Sequence, residues 1–461
     1  MSLYISNNDK LLLLQKQKYI VSKDILKKRL YSIEKETINY INNFSLIDIN
    51  NISNESCFNP INWQLGHIIY FYLINTLKLL KKKRKIHYYI LTSYIEQIEK
   101  QYNINGEDFF DSFKTPREIR FSKIICIKRL KIVYKSIIKI LLCYINNYEI
   151  DSIDSYLIML SILHNDMHNE NFNFTFYYLK NSLLNQKLLS NIKKNSTPKI
   201  KNIYIDIPKG FVHQGHNINN KIFVFDNETP SFLVKIPQFQ VNKYPITEYE
   251  FLDFVKKDGY NNAKYWSQNG LYWKNTNNIK HPLYWFNINN IWYRKHLSLI
   301  YEVGSNLPIC NISWYEAEAF CKWKKVRLIK EHEWEYLATN LGRNLFPWGD
   351  ENITDEKSNI NNNKNYCIDV DLYKNGDNIK GVSQLIGNIW EWCEEAIYPY
   401  NNFSIDYIYR EMSYPYFGQK KICRGGCFCV NDYLIHSKYR NAQDPGCQIQ
   451  FIGFRTCLKT S

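Results

Sequence analysis

The sequence predicts an α+β protein in two parts, an N-terminal helical bundle followed by an irregular domain of short strands and helices. Three observations carry this. The chain has 461 residues, more than one hydrophobic core ordinarily supports, so two domains are expected. From about residue 10 to 190, apolar residues recur at three- and four-residue intervals while Gly and Pro are almost absent, which is the periodicity of helices. Beyond a polar stretch, Asn191 to Lys201, Gly, Pro and Trp become frequent and apolar runs shorten, as turns and short strands require. The expected division is a bundle over 1–190, a linker over 191–204 and a second domain over 205–461.

In the first part four long helices are expected, over Asp24–Asn43, Ile61–Leu80, Ser122–Asn147 and Ser152–Leu184. Helices of this length make an up-and-down four-helix bundle, and bundle cores commonly hold metal sites built from facing helices. Pro60 suits the opening of the second helix. In the second part the helical pieces are Ile246–Lys257 and Ser313–Lys324, with turns at Pro208–Gly210, Asp226–Glu228 and Pro347–Gly349. Asn tracts near Asn217 and Asn361 read as surface insertions, and there is no internal repeat.

Composition excludes several classes. Hydrophobic residues make up 45% and aromatics 16% of the chain, enough for packed cores and too much for wholesale disorder. The net charge of +15 comes from lysines scattered among Asn, Ile and Tyr along the whole length, so no nucleic-acid partner is expected. The dense run Lys81 to Lys85 reads as a solvated helix end. No apolar run reaches the ~18 residues of a membrane span, and the first residues lack the pattern of a secretory signal. A cytoplasmic enzyme without membrane or nucleic-acid partners is the expectation. The twelve cysteines are spread without framework spacing and should be mostly free thiols. Cys427 and Cys429, one residue apart, do not readily pair with each other and suit a soft metal instead.

His164 and His168 lie four apart within a helical stretch, which puts both imidazoles on one face, close enough to share a metal. Imidazole suits Fe(II), Zn and Cu alike. Glu170 follows on a different face, fit to orient a ligand or a neighbouring helix. His67 lies nearly two turns beyond Pro60. Read from the residues alone, the pair is equally two polar histidines, and His67 a core histidine bonded to a backbone carbonyl.

Trp63, Gly66 and His67, followed by His164, His168 and Glu170, resemble the DinB-like bundle of the sulfoxide synthases of ergothioneine and ovothiol biosynthesis. The resemblance implies that His67, His164 and His168 bind Fe(2+), leaving positions for O2 and a thiol. The blocks Arg327 to Tyr336, Pro347 to Gly349, Gly387 to Trp392, Arg424 to Gly426 and Gly453 to Arg455 resemble the formylglycine-generating-enzyme fold, itself C-type-lectin-like. So does the opening from Ile207 through Gly215 to Pro230. That enzyme binds copper through two reactive cysteines, which Cys427 and Cys429 come too early to match.

The resemblance further implies a C–S bond-forming enzyme that joins cysteine or γ-glutamylcysteine to the imidazole of a histidine derivative. Arg117 and Arg120 occupy the place of a family pair of arginines, and a guanidinium fork suits a carboxylate. Met412 stands where an active-site tyrosine is common, leaving Tyr409, Tyr414 or Tyr416 to supply the phenol, or water to supply the proton. Asn441, Gln443 and Asp444 correspond to a substrate-contacting segment in which Ala442 and Gln443 replace an aromatic and an acid, so the substrate pair departs from the family pattern. A selenoneine-type synthase, a thiol dioxygenase and a non-catalytic ligand-binding protein are the alternatives. With no methyltransferase-like segment after Ser461, an ovothiol-type fusion is not expected.

Overall fold

The computed structural model describes residues 18–45, 58–84, 89–181, 192–193, 198–217 and 222–459. Contacts divide the chain into two compact units. The first comprises Met1–Leu179 with Ile218–Phe223 and Asp406–Arg410; the second comprises Lys180–Asn217, Val224–Ile405 and Glu411–Ser461.

The first unit is helical. Helix α1 (Lys23–Asn42) starts where the Ser22 hydroxyl accepts from the Ile25 N–H, the usual satisfaction of an orphan donor at a helix start. It buries Leu26, Arg29, Leu30, Ile33, Thr37 and Ile41, one face of a 3.6-residue period. Helix α2 (Ile61–Tyr72) follows Pro60 and continues through a π turn (Leu73–Leu77) into α3 (Lys78–Arg84). An unbroken helix is expected here from the sequence. The wider turn inserts one residue into the ladder and rotates α3 relative to α2, and Thr76 within it bonds the Leu157 carbonyl and Ser161.

Helix α4 (Tyr89–Tyr102) is absent from the sequence reading, although Leu91, Ile95 and Ile98 bury a face at four- and three-residue spacing. After the short turns α5 (Gly106–Phe109) and α6 (Arg117–Arg120) come α7 (Ile127–Asn147) and α8 (Ser152–Asn181). Both α1 and α2 pack on α7. The basic run ends α3 with Lys83 and Arg84 paired to Asp154, while Lys85 and the expected helix end at Leu184 lie outside the described residues.

The second unit is built from short strands. Strands β2 (Tyr204–Ile207), β5 (Phe239–Asn242), β14 (Thr456–Cys457) and β9 (Arg327–Leu328) form one sheet in that order. Strands β12 (Asn441–Gln443), β11 (Lys421–Arg424), β10 (Trp390–Ala396) and β13 (Ile452–Gly453) form another. A third runs β1 (Ile192–Lys193), β8 (Leu299–Glu302), β7 (Ile291–His296) and β6 (Trp285–Ile288). Among the described residues, strands β3 (Gly210–Gln214) and β4 (Phe232–Ile236) pair as a two-stranded sheet.

Helices α9 (Glu248–Lys256) and α11 (Trp314–Lys324) begin with reciprocal caps, Thr247 with Glu250 and Ser313 with Glu316, as the capping-box rule describes. The sequence reading lacks α10 (Gln268–Thr276) and α12 (Glu331–Ala338). Part of the expected linker and of the Asn217 tract lies outside the described residues. The Asn361 tract is an exposed loop in which Asn361 and Asn362 take φ values of 57° and 56°, a region Asn tolerates better than most residues.

The charged motif residues of this unit serve its core. Arg424 reaches Glu331 and Glu335, Arg440 grips Glu331, and Arg455 holds Glu391 through two bonds of 2.5 and 2.6 Å. All four carboxylate and guanidinium partners named with Arg424 and Arg440 are buried, so each charge depends on its partner for solvation.

Candidate metal centre

His67 lies in α2, and His164 and His168 lie in α8. The Nε2 atoms of His67 and His164 are 3.1 Å apart, and one ring nitrogen from each of the three lies within 4.8 Å of the others. Ring centroids are separated by 5.0 Å (His67 to His164), 4.9 Å (His67 to His168) and 4.7 Å (His164 to His168). Two nitrogens each about 2.1 Å from one ion stand about 3 Å apart at a right angle, so the first spacing suits two ligands of one metal.

Each ring is oriented by its surroundings. His67 donates from Nδ1 to the Phe110 carbonyl over 2.6 Å. A carbonyl can only accept, so the proton sits on Nδ1 and the Nε2 lone pair faces His164. Trp63 stacks on His67 at 5.2 Å and 11°, and Phe71 stacks on His164 at 3.7 Å and 7°. Burial pulls the His67 imidazole down to about 4 against the opposing effect of the Phe110 carbonyl. Burial, then the neighbouring imidazoles, hold His164 and His168 well below the ordinary histidine range. All three are therefore neutral near pH 7, the form that ligates metal. The Nδ1 atoms of His164 and His168 are buried with no hydrogen-bond partner among the described residues.

The residues between the two α8 histidines hold the helix in rotation. Arg29 reaches Asp166 at 2.6 Å, with side chains 3% and 2% exposed. Tyr134 donates to Asn165, whose amide donates to Thr37, and Thr37 in turn bonds Asn169. Sequence reasoning missed Phe71, Phe110 and this network. Its one available signal was the run of buried polar residues, Asn165, Asp166 and Asn169, in an otherwise apolar helix.

The other expected site residues fall in both units. Arg120 lies 4.4 Å over Trp63 and donates to the Thr115 and Ser112 carbonyls and to Asn59, so much of its fork is spent on the loop that carries it. Arg117 lies over Phe121. Tyr409, in the first unit, stands edge-on to Phe71 at 5.0 Å and to His164 at 5.4 Å. Glu170 is buried, 6% exposed.

In the second unit Tyr414 is 68% exposed, and Met412 closes a 3-10 turn. Asn441 and Gln443 lie on β12 with Ala442 between them, and Asp444 caps the Gly446 N–H at 2.8 Å. Cys427 and Cys429 are buried, with sulfurs 3.4 Å apart.

Residues 189–460 match the sulfatase-modifying factor enzyme 1-like domain. The chain is 28% identical to the hercynine oxygenase of Mycobacterium tuberculosis over 235 residues, which is 50% of this chain and 55% of that protein. It is likewise 28% identical to the hercynine oxygenase of Mycolicibacterium smegmatis, with 50% of this chain and 55% of the relative covered. It thus spans about half the length of these curated relatives. Identity to the formylglycine-generating enzyme of Mus musculus is 24% over 266 residues, 50% of this chain and 68% of the enzyme. Among solved structures, PvdO from Pseudomonas aeruginosa is similar with a TM-score of 0.40 and 18% identity, covering 56% of this chain and 94% of that one.

Proposed function

The chain belongs to the sulfatase-modifying factor enzyme 1-like family through residues 189–460, and from that premise we propose an Fe(II)- and O2-dependent sulfoxide synthase. It joins a thiol of the cysteine or γ-glutamylcysteine type to the imidazole of a histidine derivative, as in ergothioneine biosynthesis, and its N-terminal part is a DinB-like bundle. The observation that carries the reading is the convergence of His67, His164 and His168, three neutral imidazoles with Nε2 atoms of two of them 3.1 Å apart. The likeness to two proteins called hercynine oxygenase supports a histidine-derived substrate.

The donor set, three neutral imidazoles with two Nε2 atoms 3.1 Å apart, fits a bound metal. An iron ion held by three imidazoles would supply open positions for O2 and a thiol. The chain's own residues do the rest. Phe110, Trp63 and Phe71 fix the rings and keep water from them. Arg117 offers a guanidinium to a substrate carboxylate, and Arg120 steadies the loop beside it. The Tyr409 hydroxyl holds the proton that the reacting oxygen needs, in the role that Met412 cannot fill. Asn441, Gln443 and Asp444, in the second unit, are assigned to the imidazole substrate by the family resemblance alone.

The presence of Met412 favours one second reading, thiol dioxygenation without C–S bond formation. Reconstitution with Fe(II) without air, followed by O2, a thiol and a panel of histidine derivatives, tests both. A product carrying thiol sulfur and imidazole together supports the synthase, and a sulfinic acid without imidazole supports the second reading. If no combination consumes oxygen, both fall.

A further inference from the structure

We propose that Cys310 and Cys367 form a peroxide-sensitive modification site that closes to an intramolecular disulfide. Cys310 lies between β8 and α11, and Cys367 lies in the loop that follows the Asn361 tract. Their sulfurs are 3.8 Å apart. Closing a bond of about 2.05 Å shortens that separation by less than about 2 Å. The pair is buried, with Cys310 0% and Cys367 8% exposed, so a reagent of water-like size is the one that enters.

The two sulfurs are chemically unequal. Arg294, on β7, places Nη2 3.2 Å from the Cys310 sulfur and Nη1 2.7 Å from Glu248. Cys310 also faces the Asn311 side-chain carbonyl at 3.4 Å and Cys367 the Asn388 carbonyl at 3.8 Å, so both thiols have an acceptor and the inequality lies in the guanidinium beside Cys310. The hydrogen bond from Cys367, opposed by burial and helped by Arg294, draws the Cys310 thiol down; the same bond and burial drive Cys367 up. A cation beside a sulfur favours the thiolate, the reactive form. Cys321 and Cys393 differ in this respect: burial dominates at both and pushes both well up. Cys427 and Cys429 stand as close, yet only Phe428 separates them, which strains a mutual bond.

The chemistry balances with hydrogen peroxide as oxidant. The Cys310 thiolate attacks one peroxide oxygen, the O–O bond breaks, and the departing hydroxide takes a proton to become water. The resulting sulfenic acid is attacked by the Cys367 sulfur, which gives up its proton as a second water leaves. Two thiols lose two electrons in all, and the peroxide becomes two waters. This site is independent of the histidine cluster and of the reaction proposed for it.

The test is peroxide treatment of the full chain, denaturing quench, alkylation and peptide mapping by mass spectrometry. Wild type should lose two alkylatable thiols and yield a cross-linked peptide pair containing Cys310 and Cys367, reversed by dithiothreitol. In Cys367→Ser, dimedone present in the denaturing quench should trap a sulfenic acid at Cys310; in Cys310→Ser, neither cross-link nor trapped Cys367 should form. Wild-type mapping needs no variant to fold. A Cys310 still fully alkylatable after other buried thiols have oxidised, or a first cross-link at Cys427–Cys429, overturns the proposal.

Discussion

His67 and Phe110 are coupled twice: the Phe110 carbonyl accepts the His67 Nδ1 proton over 2.6 Å, and the Phe110 ring fills the space beside Gly66, the preceding residue. A Cβ at position 66 would meet that ring. Alanine ordinarily stabilises a helix by about 1 kcal/mol over glycine, but overpacking a tight core costs about 1–3 kcal/mol. Gly66→Ala should therefore lower the melting temperature and weaken metal retention together. A variant that melts higher and holds metal as wild type does would show that Phe110 gives way freely.

Asp166 and Arg29 lie between the metal-facing turns of α8 and the face of α1. Removing one partner of such a buried pair costs about 3–5 kcal/mol, whereas replacing both with apolar residues costs far less. Asp166→Asn should destabilise strongly, and Arg29→Met with Asp166→Leu should recover most of the loss. Denaturant titration of the single and double variants measures this. Equal destabilisation by both would mean that the pair is not isolated in its cost.

What was readable in the sequence depended on whether a local rule governed it. The helices around His67 and His164 follow from apolar periodicity, and the i, i+4 spacing alone aligns His164 with His168. The helical pieces at α9 and α11 were legible for the same reason, though their caps were not read. Helix α12 was not, because its eight residues carry Glu331 and Glu335 inward to Arg424 and Arg440, distant in sequence, and Glu333 to the nearby Arg327. Nor could spacing reveal that Arg120 spends its fork on Thr115, Ser112 and Asn59, since these partners are set by the loop's path. The π turn at Leu73–Leu77 likewise answers to Leu157 and Ser161 across the interior.

The two arginines should separate by experiment. Arg120→Ala removes three loop bonds and the Trp63 contact, so it should lower stability by a few times the ~1 kcal/mol of a single hydrogen bond. Arg117→Ala should raise KM for a carboxylate-bearing thiol by roughly tenfold, with Lys rescuing only in part. An Arg117→Ala enzyme with unchanged KM would remove that residue from the binding site.

Glu228 gives a pH prediction. Burial drives its carboxyl up to about 8, against the Phe225 N–H and the Arg424 and Arg440 guanidiniums; His436 faces it at 3.5 Å. Between the ordinary value of 4.5 and about 8 the folded chain keeps a proton that the unfolded chain has released, so stability falls as pH rises through this window. The buried His216 and His436, drawn down to about 2 and about 3 mainly by burial, act in the opposite sense at lower pH. Glu228→Gln should therefore lose less stability than wild type on going from about pH 5 to about pH 9. Parallel pH profiles for the two proteins would mean that Glu228 ionises normally.

The most direct measurement for the three-histidine centre is iron content per chain after anaerobic loading and desalting, by elemental analysis, in wild type and in His67→Ala, His164→Ala and His168→Ala, with folding checked by circular dichroism. Wild type should retain one iron per chain and each folded variant should lose most of it. Iron content that ignores all three substitutions would contradict the centre outright.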